Sequence, residues 1–410
     1  MLKRPDTSAL RRAMPQDPVE ARRSYTGPAL FSFGFRPFFL GGAIWGALVV
    51  PVWIAAWVLG WSKIGGVPAL AWHVHEMLFG FLGAIVAGFL LTAVPNWTGR
   101  LPVMGGPLLA LAALWLAGRL AMLVGGPVLL VAVMDASFLL VLAALLWREV
   151  ITGGNFRNFP VCGLASLFAL ANLGFHAAIA FGFDWRPAQG VAIAVIAMLI
   201  GLIGGRIVPS FTRNWMAQTG RTPLPAPAGR LDMFALGALA ASLVAWILWP
   251  WSAVTGLLLA AAGILHAVRL ARWKGWRTGA EGLVLILHAG YVWLPLALLL
   301  MAGGILLPGL VPASAALHAL TAGAMGTMTL AVMTRASLGH TGRARTADRT
   351  TTAIYALVLT AAVVRVLVPI VLPLAIVPVL AVSAVLWSAA FGLFALRYGP
   401  MLAKPRVTHD

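Results

Sequence analysis

The sequence has little from which thiol or carboxylate chemistry could be built. It holds one cysteine, Cys162, so an intramolecular disulfide and a soft all-thiolate metal site are both excluded. The expectation for Cys162 is a plain buried thiol. Asp and Glu together number 11 in 410 residues, too few within the apolar runs for an oxygen-rich calcium or magnesium cage. No CxxC, HExxH, phosphate-binding glycine loop or serine elbow occurs. Charged residues make up only 10% of the chain, where a soluble domain carries about 25%. An ordinary soluble fold is therefore excluded.

What is present is hydrophobic: 61% of the residues. The apolar residues run continuously for about 20 positions at a time, the length of a membrane-crossing helix, and do not alternate with period two as barrel strands would. The pattern predicts an all-α membrane protein with twelve transmembrane helices, over residues 37–60, 72–95, 107–124, 127–147, 159–181, 188–209, 231–249, 252–272, 280–302, 312–334, 351–371 and 373–397. Residues 31–398 form the membrane domain. Residues 1–30 carry Arg4, Arg11, Arg12, Arg22 and Arg23 among prolines, with no cleavable signal visible, and read as a disordered basic tail. Residues 399–410 form a second tail.

The 29 Lys and Arg give a net charge of +18. They sit in the N-terminal tail and in alternate loops; only Lys63 and Arg186 fall in loops on the other side. Such a distribution reads as membrane orientation and not nucleic-acid binding. It places both termini in the cytoplasm. The basic ends of spans two, six and ten share a weak motif, "AVPNWTGR" (93–100), "IVPSFTRNW" (207–215) and "VMTRASLGHTGR" (332–343). A repeat every four spans would make a pseudo-threefold bundle of three four-helix units; simple recurrence of polar turn residues is the alternative.

Histidines supply the remaining chemistry. His409 is in the tail and His340 in a loop. By depth along the spans, His73, His75, His176 and His318 fall in the outer part of the membrane, and His266 and His288 in the inner half. His73 shares a helical face with Met77, Gly80, Ala84 and Ala87, His176 with Asn172, Ala169 and Ala165, and His318 with Thr321, Ala322, Met325 and Thr329. Small residues leave room for another helix or a flat ligand. In an unbroken helix His75 points about 200° away from His73 and turns inward only if the start of span two is irregular. A lone membrane histidine is usually a structural hydrogen-bonding group. Four at one depth on three helices favour ligation of iron or copper.

Few other charges lie within spans. Arg119 and Asp135 flank the Gly125-Gly126 turn at equal depth and are expected to form an ion pair across that hairpin. Arg365 has no carboxylate in step on span twelve; a haem propionate would suit it, as would a backbone carbonyl or the outer face. Glu76, beside the first histidines, reads as an acceptor that orients a ligating imidazole, or as a proton carrier. Glu281, His288 and Tyr291 lie along one side of span nine and could form a hydrogen-bond stripe.

"LFSFGFRPFFLGG" (30–42), "WHVHEMLFGF" (72–81), "AGFLLTAVPNWTG" (87–99), "NLGFH" (172–176), "RIVPSFTRN" (206–214) and "HALTAGAMGTMTLAVMTRASLGHTGR" (318–343) strongly resemble the NnrS family over most of the chain. The resemblance implies a bacterial inner-membrane protein that contains haem, of b type, and copper, linked to nitric oxide and nitrosative stress. Its matched positions are His73, His75, Glu76, Asn172, His176, Arg206, His318, Arg335 and His340; His266 and His288 match more weakly. The architecture is also similar to the catalytic subunit of haem-copper oxidases and nitric oxide reductases, but the paired histidines of that family's copper site are missing from spans six and seven.

Two functional classes follow. The first is a haem and copper protein that binds nitric oxide and reduces or detoxifies it, fed by an electron donor. His73 and His318 are then the haem ligands with Arg365 beside a propionate, His75 and His176 the copper ligands, His266 and His288 a second or supporting metal site, and Glu76 the proton carrier. The second is a proton-coupled secondary transporter without a redox cofactor. A Soret band in purified protein distinguishes them.

Overall fold

Residues 25–372 and 376–407 are described by a computed structural model. The expectations for the arginines of the N-terminal tail and for His409 lie outside the described residues.

Twelve helices are long and apolar enough to cross a membrane: α1 Phe35–Val58, α2 Ala69–Thr98, α3 Gly106–Val124, α4 Val128–Thr152, α5 Phe156–Phe181, α6 Arg186–Gln218, α7 Arg230–Leu248, α8 Ala253–Arg277, α9 Gly282–Leu306, α10 Ala313–His340, α11 Arg349–Val371 and α12 Pro378–Ala403. Each matches one of the expected spans. A two-stranded hairpin, β1 Lys63–Ile64 with β2 Val67–Pro68, joins α1 to α2. Its tip, Gly65 at φ +55, lies so close to the end of α3 that a Cβ there would sit 2.1 Å from the Met122 carbonyl.

The largest departures in length fall on α2, α6 and α10, which run past their apolar stretches on the face where Lys and Arg collect. Hydropathy ends where polar side chains begin, but the backbone stays helical through Asn96 and Thr98, through Arg206 to Gln218, and through Arg335 to His340. His340 is therefore not in a loop as expected. It closes α10 with its ring 5.4 Å from those of both Phe33 and Phe35.

The same three helices are interrupted by π-helical segments, Glu76–Leu82 in α2, Ile200–Gly204 in α6 and Ala319–Gly326 in α10. Each segment contains glycine, and neighbours press against it. A Cβ on Gly326 would lie 2.4 Å from the Trp387 ring. α2, α6, α9 and α10 are the most buried spans, and α12 packs back onto α1 to close the bundle. On the basic face, Arg36 donates to the carbonyls of Leu402 and Lys404, both at 2.7 Å. The start of α1 and the end of α12 thus meet there. The opposite face carries the starts of α2 and α10 and the ends of α3, α5 and α11.

Candidate metal centre

The start of α2 carries the first set of titratable side chains. Ala69–His75 is α-helical and the π segment begins at Glu76. His73 and His75, two residues apart, point to opposite sides of the helix. The wide π turn lets His75 and Glu76 face the bundle interior together, both fully buried.

His75 reaches α4 and α5. Its Nδ1 lies 2.8 Å from Glu76 Oε1, and its Nε2 lies 2.9 Å from Asn172 Oδ1 and 3.1 Å from Asp135 Oδ2. Asn172 and His176 stand one turn apart on α5, and both reach the same carboxylate oxygen: Asn172 Nδ2 donates to Asp135 Oδ2 at 2.8 Å, and His176 Nε2 is also 2.8 Å from it. Arg119 lies between the two carboxylates. It donates to both Glu76 oxygens at 2.6 Å and pairs with Asp135. Trp45 donates to Glu76 Oε2 at 2.8 Å. The expected Arg119–Asp135 pair therefore forms, but as one edge of a larger network that includes Glu76 and two histidines.

Two local features of the sequence make room for this network. A Cβ on Gly80, one turn past Glu76, would come 2.3 Å from Arg119 Nη1, and one on Gly118 would come 3.0 Å from Asp135. Glycine at these positions leaves room for the Arg119 guanidinium beside Gly80 and for Asp135 beside Gly118.

The charges and hydrogen bonds imply one more positive group. Glu76 and Asp135 carry two negative charges and Arg119 one positive charge. His75 Nδ1 faces a carboxylate, so an N–H belongs there. His75 Nε2 then faces the Asn172 and Asp135 oxygens, a setting that favours a proton or a metal ion at that nitrogen. Among the described residues, His75, Asp135 and His176 are the one group of three whose ligand atoms all lie within 4.8 Å of one another. Two imidazoles and a carboxylate suit copper or zinc. The Glu76–His75 bond is the carboxylate–histidine arrangement that fixes a ligand imidazole.

The other two outer histidines lie outside this network. His73 stacks on Trp53 of α1 with ring centroids 4.5 Å apart, and its Nδ1 is buried with no hydrogen-bond partner among the described residues. His318 opens the π segment of α10. Its Nδ1 lies 2.7 Å from the Ser314 carbonyl, which makes that nitrogen the donor and leaves Nε2 with a free lone pair. Arg365 of α11 donates to the Ser314 hydroxyl at 2.8 Å. Thus the four outer histidines do not form one cluster: His75 and His176 share the Asp135 carboxylate, and His73 and His318 lie outside that group.

Residues 29–406 match the family described as NnrS protein. The chain belongs to the NnrS family. No curated protein matches it. Membership points to a membrane protein related to nitric oxide, and the buried His75–Asp135–His176 group makes metal binding by this NnrS chain chemically reasonable.

The inner histidines of the NnrS chain are arranged differently. His266 has both ring nitrogens occupied, Nδ1 by the Tyr291 hydroxyl at 2.9 Å and Nε2 by the Ala235 carbonyl at 3.1 Å. Tyr291 in turn accepts from Arg269, which pairs with Asp232 and donates to the Gly201 carbonyl. His288 Nε2 lies 2.7 Å from the Thr212 hydroxyl, with its ring against Gly275. The two histidines thus have separate partners, on different helices. The stripe along span nine does not form either: Glu281 caps the start of α9 by accepting from Leu283 N at 3.0 Å, and His288 and Tyr291 turn to different neighbours.

Asp135 and Asn172 are the members of the centre that residue type alone did not single out as ligand and hydrogen-bond partner. The signal was present in Asp135, an intramembrane carboxylate at the depth of the histidines.

Proposed function

We propose that the chain is a haem- and copper-binding protein of the bacterial inner membrane, with both termini cytoplasmic, that binds nitric oxide and reduces or detoxifies it. The observation that carries the reading is the buried His75–Asp135–His176 group, with His73 and His318 at the same depth outside it. His75, His176 and Asp135 offer a mixed imidazole and carboxylate donor set. His73 and His318 offer nitrogens not already satisfied.

In this reading His75, His176 and Asp135 hold copper, and His73 and His318 hold a b-type haem with Arg365 beside a propionate. The bound metals would supply the ligand-binding and electron-accepting chemistry for nitric oxide. Arg119 keeps Glu76 and Asp135 in place and balances their charge. Glu76 orients His75 through Nδ1 and is the carboxylate best placed to take up or release a proton. Electrons come from a separate donor. Nitric oxide is small and uncharged and dissolves in lipid, so it needs no polar channel to reach a site within the bilayer.

The test is the visible spectrum and metal content of the purified full chain. A Soret band, with iron and copper present and the band shifted by nitric oxide, is the expected result. A colourless, metal-free protein would overturn the reading and favour a proton-coupled transporter.

A further inference from the structure

The loops on the basic face hold two arginines without a counter-charge. Arg221 follows α6 and Arg277 ends α8. The two clasp each other's loops: Arg221 donates to the Arg277 carbonyl at 3.0 Å, and Arg277 donates to the Thr222 carbonyl. The Arg221 guanidinium also lies over the Trp215 ring, 4.6 Å from its centroid. A further bond, from Ala226 N to the Arg272 carbonyl at 3.2 Å, ties the same two loops. Both arginines are thereby held in place while exposed. They line a recess of ≈ 420 Å³ that Thr222, Trp276, Gly279 and Ala280 complete.

The charge balance of this recess is one-sided. Asp232, at the start of α7, pairs with Arg269 at 2.7 Å and lies 3.7 Å from Arg272. Glu281 accepts from Leu283 N at the start of α9. Among the described residues no Asp or Glu forms an ion pair with Arg221 or Arg277. Each guanidinium carries five N–H donors in a planar fork and spends one on the clasp. Two like charges held near each other repel, and an anion between them relieves that repulsion. The remaining donors match the oxygens of a phosphate, which arginine binds through two parallel hydrogen bonds.

The location favours a lipid as the source of that phosphate. The recess lies at the ends of membrane-crossing helices, where headgroups sit. Trp276 beside it is 69% exposed, and an exposed indole at the end of a span settles at headgroup level. Leu285, one turn into α9, is 41% exposed and marks where the lipid-facing apolar surface begins. The recess is open on its outer side, as a headgroup still joined to its acyl chains requires. Basic pockets between helix ends suit such headgroups. We propose that Arg221, Arg277 and Trp276 form a binding site for the phosphodiester headgroup of an anionic membrane lipid. The site uses none of His73, His75, His176 and His318 and stands without the metal chemistry proposed above.

The probe is phosphatidylglycerol, set against phosphatidylcholine and added to the purified full chain in detergent, with bound lipid counted by native mass spectrometry. The wild type should retain phosphatidylglycerol in preference. Arg221→Gln/Arg277→Gln should weaken that binding about fivefold for each arginine lost. Arg157→Gln/Arg349→Gln removes the same charge from exposed positions elsewhere on the basic face and should leave the binding unchanged. Trp276→Ala leaves the clasp intact and should also weaken retention, which keeps the site testable if the first variant fails to fold. Equal retention of the two lipids by the wild type, equal losses in the two double variants, or a Trp276→Ala protein that retains lipid as the wild type does overturns the proposal. Displacement of phosphatidylglycerol by an equal concentration of inorganic phosphate would make the ligand a soluble anion, and displacement by a polyglutamate peptide would make it an acidic protein segment; either result overturns the lipid.

Discussion

His73 and His75 lie two residues apart on α2 and serve different surroundings: His73 stacks on Trp53 at 4.5 Å, while His75 lies 2.9 Å from Asn172 on the other side of the helix. One short stretch of chain therefore places one histidine on each side of α2. The two histidines meet different neighbours because the helix turns about 100° per residue, and they stay at one depth because they adjoin in sequence.

Arg119 is the cation that holds the His75 centre together. Arg119→Ala leaves Glu76 and Asp135 buried without their partner, at a cost of about 3–5 kcal/mol. Arg119→Lys keeps the charge but cannot span both carboxylates and should fall between. Thermal unfolding in detergent measures this; an Arg119→Ala protein that melts with the wild type would show that the network contributes little.

Gly80 tests the same network by shape instead of charge. Gly80→Ala puts a methyl group 2.3 Å from the present position of Arg119 Nη1, so the guanidinium must move. Reduced stability and reduced metal content are expected. Gly163→Ala is the control, with nothing within 4 Å of the added carbon, and should lie within about 1 kcal/mol of wild type. Equal behaviour of the two variants would contradict the geometry.

Most of the fold was legible, and the reason is physical. A membrane span must be continuous and apolar, so twelve of them stand out, and the positions of Lys and Arg mark alternate ends. Depth was legible for the same reason, which is how Arg119 and Asp135 could be paired. Azimuth was not. A π segment has no residue signature, and without it the inward turn of His75 and Glu76 is not specified. Glu76 on Arg119 was missed because the pairing considered only the hairpin of α3 and α4, whereas α2 packs against both. The ends of α2, α6 and α10 were missed because helices continue through polar residues once they leave the apolar layer.

Tyr291 separates structural histidines from ligands. Tyr291→Phe removes the hydroxyl shared by His266 and Arg269 and should cost about 1–3 kcal/mol for the buried groups left unpaired. Iron and copper content should be unchanged, because His266 has no nitrogen free for a metal. Loss of either metal in Tyr291→Phe would mean that the inner histidines are part of a site after all.

Asp348, between α10 and α11, gives the pH dependence. It caps α11 by accepting from Thr351 N at 2.7 Å and pairs with Arg397 at 2.8 Å. Partial burial pushes its carboxyl up, but the hydrogen bonds from Thr351 and Arg397 outweigh this and lower it from 3.8 to about 2. A lowered folded value means that the stabilisation is complete above the unfolded value and is lost as pH falls from about 4 towards 2. Melting temperatures taken down that range should fall faster for wild type than for Asp348→Asn. Parallel curves would remove Asp348 from the account.

The central claim is that α2 divides two sites, and metal analysis of paired variants tests it most directly. Iron, copper and the Soret band are measured on purified wild type, on the His73→Ala/His318→Ala double variant and on the His75→Ala/His176→Ala double variant. The account predicts that the first double variant loses the Soret band and its iron while keeping copper, and that the second loses copper while keeping the Soret band. Both metals retained in both variants, or both lost together in each, would contradict it.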